Sequence, residues 1–417
     1  MNARKLLLVA LGSATSSDAL KMKNMPRVGA LAARGTLVTG VDTVFVSNAY
    51  PCAASILTGV HPKDHRVLDD RLPVQGAAET PDAARSARLR DHRHIKAPTL
   101  IGQARKAGHS ICCVMWPVTG GADIDFHIQD IYPSSRPLAA MLRLGGGRFA
   151  LWAYMRHWRL VSGLKQPELD DFALQTALDC LRKDKPSLTL LRFDDLDRQK
   201  HDHGPGSSEA RDALERCDKR IGLLVDALWD AETLDETDII ICGDHGCLPV
   251  TQTVDLQKYL GDLAGQAVFH QAGGIACLRL RRQDDIELQK RGAHMIKDIL
   301  EDPTSGAYRV LSPEEMAISG LDTRFDIGLE AATGCAFQAK GGGGRSPRGN
   351  RSPKGTHGYT LEHNDYKTFY LAVGPHIPPD KSFSGGSILD ICPLAAQLLA
   401  LPPWGMDGAN PIPLIEE

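Results

Sequence analysis

The chain is expected to form a mostly parallel, doubly wound α/β sheet, and three observations carry that expectation. Short, nearly continuous Leu/Ile/Val runs recur along it, helical patterns separate them, and its 417 residues suffice for one large domain with insertions or for two. The runs are 5–11, 110–115, 187–193, 237–243 and 368–373. They lack the polar alternation of a half-exposed strand, as expected of parallel strands covered on both faces.

Helices are expected at 26–34, 98–106, 168–183, 208–229 and 388–401. The fourth shows the pattern best. Glu209 stands in its first turn, and Ala213, Leu214, Cys217, Ile221, Leu224, Val225 and Leu228 form one apolar stripe, the mark of a helix lying on a sheet. Strands alternating with such helices argue a mainly parallel sheet. Two stretches read as insertions into a core of 1–119, 165–247 and 356–417. Segment 120–164, with Trp152, Tyr154 and Trp158, reads as a lid whose aromatics serve as core or as a nucleobase platform. Segment 248–355 reads as a smaller subdomain with a strand pair at 268–280, a helix at 283–300 and a Gly/Arg/Ser tract at 340–354, a solvated linker.

Composition narrows the partners. The net charge of −3, from 48 basic and 51 acidic residues, predicts no affinity for a nucleic-acid polymer or an anionic membrane. The apolar runs are too short to cross a bilayer. Arg4 and Lys5 before an apolar stretch imitate the start of a signal peptide, but a buried first strand fits better. Ten cysteines, several inside strand-like runs, behave as small hydrophobes rather than a disulfide scaffold, so a reducing, cytoplasmic setting is expected.

Candidate chemistry gathers where polar residues adjoin these runs. Asp197 and His201 follow 187–193, Asp244 and His245 follow 237–243, and His357 precedes 368–373. In open parallel sheets, sites form in the crevice outside the carboxyl ends of the strands. Asp197 and His201 are four apart, so one helical turn points both the same way. Imidazole and carboxylate together suit zinc or a similar divalent ion, with manganese and iron as alternatives. The expectation is therefore a divalent-metal site on Asp197, His201, His357, Asp244 and His245.

Those segments, with MPRVGALAARG from Met25, YPCAASILTGVHPKDH from Tyr50, WPVTGGADID from Trp116, Gly374-Pro375 and Met406-Asp407-Gly408, resemble the type I phosphodiesterase/nucleotide pyrophosphatase branch of the alkaline phosphatase superfamily. The resemblance implies an alkaline-phosphatase-like fold, one or two metal ions, and phosphodiesters or nucleotides as the substrate class. It assigns Asp197, His201 and His357 to one metal, and Asp244 and His245 to a second. It also marks departures. The aspartate that the family places after the first strand is Gly12 here, the nucleophile position is Ala49, Ala53 replaces a histidine, and Asp70 stands where relatives carry a phosphate-donating asparagine. An alanine methyl cannot attack phosphorus, so the usual covalent route is closed. The expected function is a weakly active or non-catalytic binder of a small phosphorylated ligand or nucleotide. Two alternatives are an active hydrolase using a metal-bound hydroxide, with Asp70 as surrogate ligand or base, and a metal-free scaffold. Ser13, Ser47 and Ser55 are the nearby hydroxyls that could substitute for the nucleophile.

Overall fold

A computed structural model describes residues 4–70, 89–131, 137–144, 146–161, 163–338 and 352–415. Most of the Gly/Arg/Ser tract lies outside these described residues. The architecture is α/β, built on an eight-stranded sheet. In spatial order its strands are Lys381–Ser384, Thr36–Val41, Thr368–Val373, Thr237–Gly243, Lys5–Leu11, Leu188–Phe193, Ile111–Val114 and Phe126–Ile128. All pairings are parallel except those of Thr368–Val373, which is antiparallel to both neighbours.

The first strand shows why the sheet is buried on both faces. Leu7, Val9 and Leu11 enter one core cluster, together with apolar residues of helices Glu168–Lys183 and Ser208–Asp230. Leu6, Leu8 and Ala10 enter a second cluster, with helices Ala49–Thr58, Leu100–Lys106 and Ile391–Leu398. Successive side chains point to opposite faces of a strand, so an unbroken apolar run feeds both layers at once. Local sequence sets the helix starts. Ser207 and Thr99 accept backbone N–H bonds from Ala210 and Gly102, satisfying donors that the first helical turn leaves unpaired.

The residues read as a lid join this core. Phe126–Ile128 is the edge strand of the main sheet, and Met141, Ala150, Ala153 and Val161 are buried in the first cluster. Phe149, Trp152 and Tyr154 pack against that cluster, whereas Trp158 is half exposed. Further along, a four-stranded antiparallel sheet runs Ala307–Val310, Ile327–Ala331, Ile275–Leu280 and Ala267–Ala272. Together with helix Ile286–Glu301 it buries a separate apolar cluster.

Register places the functional rim. Leu11 pairs with Phe193 on one side and with Gly243 on the other. The next residues, Gly12, Asp194 and Asp244, therefore leave three adjacent strands at the same level. Because Thr368–Val373 runs backwards, Tyr370 faces Cys242 and the strand's leading end lies at this rim. The chain just before it is pinned there by a short antiparallel pair, Thr356 with Leu248 and Gly355 with Pro249. That brings in His357.

Candidate metal centre

Asp197 and His201 lie on helix Asp195–His203, one turn apart, with His201 Nε2 3.5 Å from Asp197 Oδ1. His245 follows its strand directly and is fully buried. Its ring centroid is 4.4 Å from that of His357, which in turn is 5.0 Å from that of His201. One ligand atom each of Asp197, His245 and His357 lies within 4.8 Å of the others. Three of the five residues expected as ligands thus converge, and His201 stands beside Asp197 and His357.

Hydrogen bonds fix the tautomers of the three rings. His201 Nδ1 lies 2.7 Å from the carbonyl of Gly355, His357 Nδ1 2.8 Å from Asn48 Oδ1, and His245 Nδ1 3.1 Å from the carbonyl of Gly246. These oxygens can only accept, so each Nδ1 donates, and in the neutral ring Nε2 is the atom that carries the lone pair. Metal-binding histidines are commonly oriented this way, through the ring nitrogen that does not face the ion. His245 Nε2 is buried with no hydrogen-bond partner, and Asp244 Oδ2 lies 3.5 Å away. An orphaned acceptor of this kind is rare in a folded protein, and a cation would satisfy it. Around Asp197, burial works against ionisation, but the imidazoles of His201, His357 and His245, when protonated in the absence of an ion, and the Ser13 hydroxyl hold its carboxyl far below the usual range. The donor set fits a divalent cation.

Asp244 is arranged differently. Its Oδ1 accepts the backbone N–H of Ser13 at 3.0 Å and of His245 at 2.9 Å. Its Oδ2 accepts from Arg192 Nη1 at 2.5 Å. Arg192, with only 1% of its side chain exposed, also donates from Nε to Asp194 Oδ1 at 2.8 Å. Three hydrogen bonds, one of them from a guanidinium, offset the burial of this carboxylate, so a second ion is not needed to explain it.

The hydroxyls considered as substitute nucleophiles separate clearly. Ser13 Oγ hydrogen-bonds Asp197 and lies 3.2 Å from His245 Nδ1. Ser47 is bound to Tyr366 and to the carbonyl of Tyr359, and Ser55 to His65 and the carbonyl of Val60. Only Ser13 is in the cluster. Ala49 opens helix Ala49–Thr58, one residue after the Asn48 that holds His357. Asp70 Oδ1 accepts the Tyr50 N–H at 3.0 Å, so a carboxylate sits at the start of that helix. Ala53 is buried in the second core cluster.

Sequence reasoning missed Arg192, Asp194 and Asn48. A signal existed for the first. Arg192 is the one charged residue in the strand Leu188–Phe193, and a cation inside a doubly covered strand is seldom buried without a partner. Asn48 carried no comparable signal.

This is an alkaline-phosphatase-like fold with a cation-ready cluster of histidines and carboxylate at the carboxyl rim of its sheet. Residues 6–360 match the family described as type I phosphodiesterase / nucleotide pyrophosphatase, and the chain belongs to that family. Human ectonucleotide pyrophosphatase/phosphodiesterase family member 1 is 24% identical over 259 residues, covering 61% of this chain and 24% of that protein. The chain thus spans about a quarter of that relative's length. Venom phosphodiesterase of Macrovipera lebetinus is 20% identical over 412 residues, 93% of this chain and 42% of that protein. Among solved structures, murine ectonucleotide pyrophosphatase/phosphodiesterase 5, in an inactive form in complex with AMP, superposes with a TM-score of 0.71 at 20% identity, covering 97% of each chain. That likeness shows the fold.

Proposed function

We propose that this chain binds a small phosphorylated ligand, most simply a nucleotide, at a divalent-metal centre and turns it over weakly or not at all. The observation that carries the reading is Ala49, a methyl group at the start of the helix beside the cluster, where the family resemblance puts the nucleophile. Asp197, His201, His357 and His245 would hold the ion, and zinc suits that donor set. Bound there, it would neutralise phosphoryl oxygens as a Lewis acid.

The chain's own residues do the rest. Asn48 orients His357, the Gly355 carbonyl orients His201, and the loop after the first strand is held by buried Lys200, whose Nζ donates to the Ser13 carbonyl at 2.6 Å and to Asp18 at 2.5 Å. Asp70 at the helix start opposes an incoming anion. AMP in the murine relative's structure and the nucleotide substrate in the name of a Xenopus laevis relative, bis(5'-adenosyl)-triphosphatase, support the ligand class. A cytoplasmic location is part of the proposal, supported by ten buried free thiols.

The test is hydrolysis of bis(p-nitrophenyl) phosphate by the zinc-loaded protein, alongside AMP binding by calorimetry. AMP binding that needs the metal, with no turnover above the free-zinc background, is the expected result. Robust turnover lost in His357→Ala would establish an active hydrolase instead.

A further inference from the structure

We propose that the guanidinium of Arg192 is a resident substitute for a second cation, so that the centre takes one divalent ion on Asp197, His201, His245 and His357. The inference rests on the metal-centre reading above and sharpens it. Family resemblance pairs Asp244 and His245 on a second metal, together with an aspartate at the position of Gly12. In this chain that half of the site is filled from within.

Three observations converge. First, Arg192 lies on the strand Leu188–Phe193 opposite Ala10, two residues short of the rim, so its side chain reaches the space beyond the central strand's end. There it bridges Asp244 Oδ2 at 2.5 Å and Asp194 Oδ1 at 2.8 Å. One guanidinium between two carboxylates does the electrostatic work of a bridging ion, with a planar fork suited to carboxylate oxygens.

Second, Gly12 leaves the room. A Cβ on Gly12 would lie 2.7 Å from Asp194 Oδ1, 3.1 Å from Arg192 Nη2 and 3.1 Å from Asp197 Cβ. An aspartate there would require the Asp194 carboxylate to shift and would crowd the guanidinium in its present place. The lack of a side chain at Gly12 and the arginine beside it thus fit together.

Third, the two members of the Asp244-His245 pair have opposite needs. Asp244 already accepts two backbone N–H bonds on Oδ1 and the Arg192 guanidinium on Oδ2, whereas His245 Nε2, 3.5 Å from that Oδ2, is buried and without a hydrogen bond. The imidazole is grouped with Asp197 and His357, and His201, its Nε2 3.5 Å from Asp197 Oδ1, stands next to them as the fourth donor of the proposed site. Four protein donors fill a tetrahedral zinc site, and a phosphoryl oxygen would join them as a fifth ligand.

The experiment is metal counting on the full chain. The protein is stripped with chelator, reloaded with Zn(II), desalted and analysed by elemental mass spectrometry, with affinity from chelator competition. Wild type is expected to hold one ion per chain. His245→Ala is expected to weaken that ion at least tenfold, and the Gly12→Asp/Arg192→Met double variant to hold two. Two ions in wild type overturn the inference and leave the metal-centre reading standing. No ion in wild type overturns both. Unchanged affinity in His245→Ala removes that residue from the centre, and a folded double variant that still holds one ion shows that Arg192 is not what excludes the second. The wild-type count decides even where a variant fails to fold.

Discussion

Two halves of one rim behave in opposite ways. On one side His201, His245 and His357 turn their Nδ1 atoms to fixed oxygens, and His245 keeps a buried Nε2 without a hydrogen bond, 3.5 Å from Asp244 Oδ2. On the other, Asp244 and Asp194 close on Arg192 with their demands met. Both halves are built at one rim of the main sheet, and both bring charged or chargeable groups together there. One half is finished by the protein, and the other is left for an ion. Residue type alone does not make a ligand; what matters is whether the atom's bonding capacity is already spent.

The comparison can be broken most forcefully at Arg192. Replacing it with Met leaves Asp244 buried without its cationic partner, which should cost about 3–5 kcal/mol in urea unfolding. A loss below about 1 kcal/mol would mean that the guanidinium is dispensable there. On the other half, His357→Ala should lower zinc affinity roughly 100-fold or more, the upper range seen when even outer partners of a ligand are removed. Metal-free stability should change far less than in Arg192→Met. Zinc itself should then stabilise the wild type by about 4 kcal/mol at a thousandfold excess over its Kd, with a matching rise in Tm that chelator reverses.

A smaller effect is expected at Asp70. Asp70→Asn removes the negative charge at the start of helix Ala49–Thr58 while leaving an acceptor for the Tyr50 N–H. AMP affinity should rise about tenfold, which corresponds to about 1.4 kcal/mol. No change in calorimetric Kd would mean that the ligand's phosphate does not approach this end of the helix.

The smallest effect lies in the acid limb of stability. Burial pushes the Asp18 carboxyl up, but the charge and hydrogen bond of Lys200, with the Thr15 N–H and Lys21, outweigh it and hold the group below its ordinary 3.8. A depressed carboxylate contributes stability above the unfolded value and loses it as the pH falls through the folded one. Wild type should therefore lose about 1–3 kcal/mol below pH 3.8 through this group, a typical worth for a charged hydrogen bond. Asp18→Asn should show a shallower slope there; an unchanged slope would assign the acid limb to other carboxylates.

Much of this was legible without coordinates. The strand Lys5–Leu11 and the helix Glu168–Lys183 have the bounds their patterns indicate, because an unbroken apolar run and a 3.6-residue stripe each state which faces are covered. The helices Ser16–Met22 and Ala49–Thr58 were not legible. The first is short, and in the second all residues but Ala49 are buried, which leaves no polar face to set the period.

By itself the sequence determined the sheet's class and the segments that meet at its rim. Buried strands announce themselves locally, and polar residues next to them have few places to go. Only the tertiary structure decided which of those residues remain open to an ion. It ran Thr368–Val373 backwards so that His357 arrives at the rim, and it passed Arg192 beneath Gly12 to engage Asp244. Satisfaction of a buried charge depends on atoms far apart in the chain, and no spacing of residues records it.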